Sequence, residues 1–283
     1  NPGTVNQEKL KTYKKIGINR LSIGLQSTNN EELKTIGRIH TYEQFIDTYK
    51  LARKEEFKNI NIDLMLGLPN QKIQDLKQTM QKIIDLKPEH ISVYSLIIEE
   101  GTIIEKKIRN KELNLPDEEL ERQMYWYTKN TLEINGYKQY EISNFSKKGF
   151  ESKHNLNCWK QKEYLGFGVA AHSYLNKTRY SNICNIEEYI KNIQNGNQSK
   201  NKIIHEIQTI EEQKKEYMLL GLRTIEGIKI QEFKEKFAQN PILIFRKELE
   251  KLVKENLINI DGDNIKLTNK GLDFANIVWE EFI

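Results

Sequence analysis

The sequence predicts an α/β fold, a parallel sheet curled into part of a (βα) barrel, with a small helical domain after it. Three observations carry this. In residues 59–69, NINIDLMLGLP, Ile60, Ile62, Leu64 and Leu66 alternate with Asn61, Asp63, Met65 and Gly67, the period of a strand with one aliphatic and one polar face. Residues 18–26 repeat the pattern, with Leu21, Ile23 and Leu25 against Arg20, Ser22, Gly24 and Gln26. A third strand follows at 90–99, HISVYSLIIE, and a helical pattern separates each strand from the next. That rhythm is the signature of right-handed βαβ units.

The elements can be justified in order. Residues 7–16 form a short helix ended by Gly17. Thr41 with Gln44 makes a capping box for a helix through Phe45, Tyr49 and Ala52. Residues 71–86 place Ile73, Leu76, Met80 and Ile83 on one stripe before Pro88. Helices cover both faces of parallel sheets, so two polar strand faces in register point to a lumen holding a ligand rather than to water. Three units do not close a barrel, and the strand at 18–26 would be an unpaired edge, so further strands are expected upstream of Asn1. Pro116 opens a long helix through Leu120, Met124, Tyr127 and Leu132. Residues 137–174 are aromatic, glycine-rich and irregular, and 192–202, rich in Asn, Gln, Lys and Ser, read as an exposed linker. Beyond it, Thr209 and Glu212 cap a helix, more helices follow near 230–237 and 241–255, and strands 258–261 and 265–267 flank Gly262-Asp263. This order resembles a winged helix. The expected organisation is a barrel segment at 1–175, a connecting segment at 176–204 and the winged-helix-like domain at 205–283.

Composition narrows function. The 283 residues carry 44 basic and 40 acidic side chains, interleaved to a net +4, which does not make the basic stripe of a nucleic-acid partner. The would-be recognition helix, 241–255, has four basic and three acidic residues, so packing is the better account of it than DNA binding. No apolar run reaches the ~18 residues of a membrane span. Two cysteines, Cys158 and Cys184, suit a reducing, cytoplasmic setting.

Six ordered stretches then resemble one family: RLSIGLQS at 20–27, NIDLMLGLP at 61–69, ISVYSLIIEEGT at 91–102, YEISNFSKKG at 140–149, HNLNCW at 154–159 and YLGFGVAAHSY at 164–174. Together they are similar to the oxygen-independent coproporphyrinogen III oxidase-like family of radical S-adenosylmethionine (SAM) proteins, in its haem-chaperone branch. The branch signature HN-x-x-Y-W is matched except that Cys158 replaces Tyr, and Ala170 stands where a Gly is usual. The resemblance implies a partial radical SAM barrel, SAM, a [4Fe–4S] cluster and haem as ligands, and haem-acceptor proteins as partners. Such proteins carry a Cys-x-x-x-Cys-x-x-Cys run that would lie upstream of Asn1, so this polypeptide alone is expected not to cleave SAM reductively.

Site residues follow from the same resemblance. Gln26 and Asp63 would bond the SAM ribose and Arg38 its carboxylate, chemistry that suits an amide, a carboxylate and a guanidinium. Arg38 after Gly37 also reads as a helix C-terminal charge. Ile97 and His172 align with positions lining the adenosine pocket, although Ile97 reads equally well as core. His154, Asn155 and Trp159 would hold haem, with His154 the iron ligand, the Trp159 indole a porphyrin-stacking face, and Lys153 and Lys160 propionate partners. His172 and Cys158 are the other candidate ligands. His90 opens a strand and belongs to no motif. The leading function is a haem chaperone. The alternatives are oxidative decarboxylation of coproporphyrinogen III and nucleic-acid binding.

Overall fold

A computed structural model describes all 283 residues, which form two compact units, 1–151 and 152–283.

The first unit runs α1 (Gln7–Lys15), β1 (Leu21–Gln26), α2 (Asn30–Thr35), α3 (Tyr42–Lys54), β2 (Ile60–Leu66), α4 (Ile73–Asp85), β3 (His90–Ser95), α5 (Ile103–Arg109), α6 (Glu118–Ile134), β4 (Lys138–Glu141) and β5 (Asn144–Ser146). Its open sheet has the order β1-β2-β3-β5-β4; the first three strands are parallel, and the β4–β5 hairpin joins β3 antiparallel. The Thr41–Gln44 capping box is present at α3. The aliphatic strand faces go where their alternation sends them. Ile23, Leu25, Ile60, Ile62, Leu64, Leu66, Ile91 and Val93 are buried in one core with Phe45, Tyr49, Leu76, Met80, Ile83, Met124 and Leu132. β3 ends at Ser95, four residues short of the expected strand, after the Leu96 amide bonds the Leu66 carbonyl at 3.0 Å.

The second unit runs α7 (Lys153–Trp159), β6 (His172–Leu175), β7 (Thr178–Asn182), α8 (Ile186–Gln194), a 3-10 turn (Gln198–Asn201), β8 (Lys202–Ile207), α9 (Ile210–Gly221), β9 (Ile228–Lys229), α10 (Ile230–Phe237), α11 (Pro241–Ile244), α12 (Arg246–Lys254), β10 (Ile258–Asp261), β11 (Asn264–Leu267), α13 (Asn269–Asp273) and α14 (Ala275–Glu280). From α9 onward this is a winged-helix order, with the antiparallel sheet β10-β11-β9 packed on a core of Tyr217, Phe233, Phe237, Phe245, Leu249 and Ile265.

The stretch expected as a connecting segment and linker is instead folded into the antiparallel sheet β6-β7-β8 and helix α8. Two of its amides, which read as solvated, have partners: Asn192 and Asn201 are buried and bond each other at 2.8 Å, and the Asn201 amide reaches the Tyr189 carbonyl at 3.2 Å. A polar side chain that finds a buried partner stabilises a fold that composition alone would call a tether.

Candidate functional site

The polar face of the first sheet is a connected hydrogen-bond network. The register sets Ser22 beside Asn61, Gly24 beside Asp63, and Asp63 beside Ser92. Asn61 donates from Nδ2 to Asp63 Oδ1 at 2.6 Å and to Ser22 Oγ at 2.7 Å, and the Ser22 hydroxyl donates to Asp63 Oδ2 at 3.0 Å. The other end of the Asn61 amide, Oδ1, accepts from Ser92 Oγ at 3.1 Å and lies 2.6 Å from His90 Nδ1. His90 Nε2 is 2.8 Å from the Tyr140 hydroxyl.

The direction of each bond follows from chemistry. Burial, with Arg20 adding to it, pushes the His90 imidazole down to about 3, so the ring is neutral at physiological pH. A carbonyl oxygen can only accept, so Nδ1 carries the proton toward Asn61 and Nε2 accepts from Tyr140. Every proton in the chain from Tyr140 therefore points toward the Asp63 carboxylate. His90, which belongs to no sequence motif, is a fully buried member of this network and not an incidental strand opener. Its role depends on Asn61 and Tyr140, far away in sequence.

Two of the expected SAM residues, Gln26 and Asp63, come together beside Gly24, and Arg38 is linked to this place through Asn1. A Cβ there would lie 3.0 Å from the Gln26 side-chain nitrogen and 3.9 Å from both Asn1 Oδ1 and Asp63 Oδ2, so the missing side chain leaves these groups room to converge. The strand register shifts between Gly24 and Gln26, and Gln26 adopts a left-handed φ of 77°. That conformation is uncommon outside glycine and concentrates at functional sites. Arg38 follows the left-handed Gly37 at the end of α2 and donates from Nη1 to Asn1 Oδ1 at 3.4 Å. Ile97 lies beyond the end of β3 and is 78% exposed, which excludes the core reading for it. His172 belongs to the second unit, exposed on β6 with its ring stacked on His205 at 5.4 Å.

The haem candidates sit on α7. Ser152 caps this helix through a 3.4 Å bond from the Asn155 amide. His154 is exposed, one turn before Cys158, and the Cys158 sulfur lies 3.9 Å from His154 Nε2. The Tyr164 ring meets the His154 imidazole edge-on at 6.3 Å between centroids. Burial pushes the Cys158 thiol up, while Arg179 acts the other way. Lys153 and Lys160 are exposed at the two ends of the helix. Trp159 differs from the expected open stacking face: it is half-buried, and the Arg223 guanidinium lies 4.5 Å over its ring. The segment after α7 folds back through paired bonds between Tyr164 and Tyr174, at 2.8 and 3.0 Å. Ala170, where relatives are expected to carry Gly, holds a left-handed φ of 57°.

Sequence reasoning missed Asn1, Tyr140, His205, Arg223 and the buried His90. Each is brought to its place by tertiary contact, and even Tyr140, which opens the YEISNFSKKG stretch, carries nothing local that marks His90 as its partner.

Comparison with known proteins identifies the family. A family model for the radical SAM superfamily matches residues 1–83, and one for the HemN C-terminal domain matches residues 209–274. The whole chain aligns with the heme chaperone HemW of Bacillus subtilis (strain 168) at 38% identity and with that of Lactococcus lactis subsp. lactis (strain IL1403) at 36%, covering 74% of each. The fold superposes on coproporphyrinogen III oxidase (HemN) from Escherichia coli with a TM-score of 0.80 at 20% identity, over 99% of this chain and 68% of that one. No helix is long and apolar enough to cross a membrane. With these identities over its full length, the chain belongs to the HemW family of radical SAM proteins.

Proposed function

We propose that this protein binds haem on α7 and delivers it to acceptor proteins; its relatives are named heme chaperone. The observation that carries the reading is the solvent-open His154 imidazole with the Cys158 sulfur 3.9 Å away, flanked along the helix by Lys153 and Lys160. A neutral imidazole is a natural axial ligand for haem iron, a thiolate is an alternative one, and ammonium groups match propionates. His154 is the proposed ligand because its ring is exposed while Cys158 is half-buried and held as the thiol. Oxidative decarboxylation of coproporphyrinogen III rests on likeness of fold alone. The two free cysteines fit a cytoplasmic location.

A titration with hemin tests this. The wild-type chain is expected to shift the Soret band from that of free haem, and His154→Ala to diminish the shift, with Cys184→Ser as the thiol control. A thiolate-bound ferrous–CO complex absorbs far to the red of an imidazole-bound one. A spectrum kept in His154→Ala and lost in Cys158→Ser would move the ligand to Cys158, and wild-type binding in both would remove α7 as the site.

The family also implies SAM and a [4Fe–4S] cluster. Gln26, Asp63 and Arg38 suit SAM: a preorganised carboxylate and an amide for the vicinal ribose hydroxyls, a guanidinium for the carboxylate. In this reading Asn61 and Ser22 hold the Asp63 carboxylate ready, and SAM, when bound, supplies the radical chemistry of the family. Ile97, beyond the end of β3, is proposed to line the adenosine side. Asp63→Ala should weaken SAM retention in equilibrium dialysis by about 1–3 kcal/mol, the range for hydrogen bonds to charged groups. An unchanged dissociation constant would take Asp63 out of the proposed wall. The residues of this chain do not fit the cluster, since its cysteines are Cys158 and Cys184 and no group of three His, Cys, Asp or Glu side chains is arranged to hold a metal.

A further inference from the structure

The haem reading leaves Trp159 without an open face, and the reason lies in the C-terminal part of the second unit. The Arg223 guanidinium, just past α9, sits between two indoles, 4.5 Å from the Trp159 ring and 4.4 Å from the Trp279 ring of α14. Both indole N–H groups are buried without a hydrogen-bond partner, so stacking rather than hydrogen bonding fixes these rings. Arginine suits such a place, because its flat, weakly hydrated cation can lie against aromatic faces on both sides.

A second grip acts two residues further on. Gln161 is buried and holds a left-handed φ of 50°, where the chain turns out of α7. Its Nε2 donates to the Gln213 carbonyl at 3.0 Å and to Glu216 Oε2 at 2.7 Å, both on α9. Lys236 of α10 donates to the Gln161 side-chain oxygen at 2.8 Å and to its backbone carbonyl at 3.3 Å. Glu216 is tied in turn to Arg179 of β7 at 2.5 Å. The C-terminal end of α7 is thus held by α9, α10 and α14. The turn carrying His154 has its own Ser152 cap and the edge of Tyr164.

We propose that Arg223 is a positioning residue for haem: by clamping Trp159 it fixes the axis of α7 and with it the direction of the His154 imidazole. The Trp of the HNLNCW stretch then serves as the anchor of the helix, not as a surface for the porphyrin, and the winged-helix-like domain is the scaffold of the haem site. This rests on the reading that α7 carries haem.

The test is a hemin titration of the full chain as wild type, His154→Ala, Arg223→Ala, Arg223→Lys, Trp279→Phe and Trp279→Leu, with Soret position and width, ferrous–CO spectrum and thermal midpoint read for each. Arg223→Ala is expected to weaken hemin binding about tenfold and to broaden the Soret band, since two half-buried cation–π contacts are lost. Trp279→Phe keeps a ring against the guanidinium and should hold the wild-type spectrum, while Trp279→Leu should broaden it at a matched thermal midpoint. A purely structural role would not separate Phe from Leu in this way. If Arg223→Ala does not fold, Arg223→Lys, which keeps the charge without the flat fork, decides the matter by an intermediate spectrum. Wild-type affinity and spectrum in both Arg223→Lys and Trp279→Leu, with loss in His154→Ala, would overturn the clamp and leave the haem site standing. An unchanged His154→Ala would instead overturn the haem reading itself.

Discussion

Replacing His90 with alanine is expected to destabilise the first unit by about 3–5 kcal/mol, the range for a buried side chain lost together with its hydrogen bonds. The alanine leaves a cavity and removes the partner of both Asn61 Oδ1 and the Tyr140 hydroxyl. The same residue should set an acid dependence. His90 is neutral in the fold down to about 3, whereas an unfolded chain protonates its histidine near the ordinary value of 6.5. Between those values the unfolded state binds the extra proton, so stability rises with pH. The His90 contribution is whole above about 6.5 and is lost as pH falls toward 3, at a slope of about 1.4 kcal/mol per pH unit. Urea unfolding of wild type and His90→Gln at pH 7, 6, 5 and 4 checks this, because the glutamine does not titrate. Parallel curves for the two proteins would show that His90 charges freely in the fold.

Gly166→Ala is the second large effect expected, at about 3 kcal/mol or more, beyond the usual cost of overpacking because backbone must move. A Cβ at Gly166 would meet the His172 carbonyl oxygen at 2.2 Å and the Ala171 Cβ at 2.9 Å. The Gly166 amide also donates to the buried Ser173 hydroxyl at 2.9 Å, so the loop cannot back away without breaking that bond. Gly168→Ala is the matched comparison. Gly168 has a φ of 96° but nothing within 4 Å of a Cβ, so its cost is torsional and about 1 kcal/mol. Thermal unfolding with hemin titration should show Gly166→Ala losing both melting temperature and the haem spectrum, and Gly168→Ala keeping most of each. Equal melting temperatures would mean that the loop after α7 is looser than its contacts imply.

The parallel core strands were legible because their periodicity is clean. Ile60, Ile62, Leu64 and Leu66 alternate without interruption and all four are buried, and the polar residues between them line up with those of β1 in register. Gln26 and Asp63 could be read from the same alternation before any resemblance was considered. The β4–β5 hairpin could not, because its inward residues, Gln139, Glu141, Asn144 and Ser146, are polar and buried, and they give no hydrophobic period. β8 inverts the usual rule outright, with Ile203, Ile204 and Ile207 exposed. Arg223 and Trp279 lie far from Trp159 in sequence, and nothing local marks either as its partner. The trio exists only once α7, α9 and α14 are folded together.

The one-way order of protons from Tyr140 to Asp63 has a consequence for how a ligand meets this face. The hydroxyls of Tyr140, Ser22 and Ser92 and the amide of Asn61 have their orientations set by fixed donors and acceptors, so these rotors are already settled before anything binds. No side chain in the row has to choose among conformers. What ordering remains on binding falls on the incoming molecule, so a stiffer ligand should gain affinity at this face where a more mobile wall would show little difference.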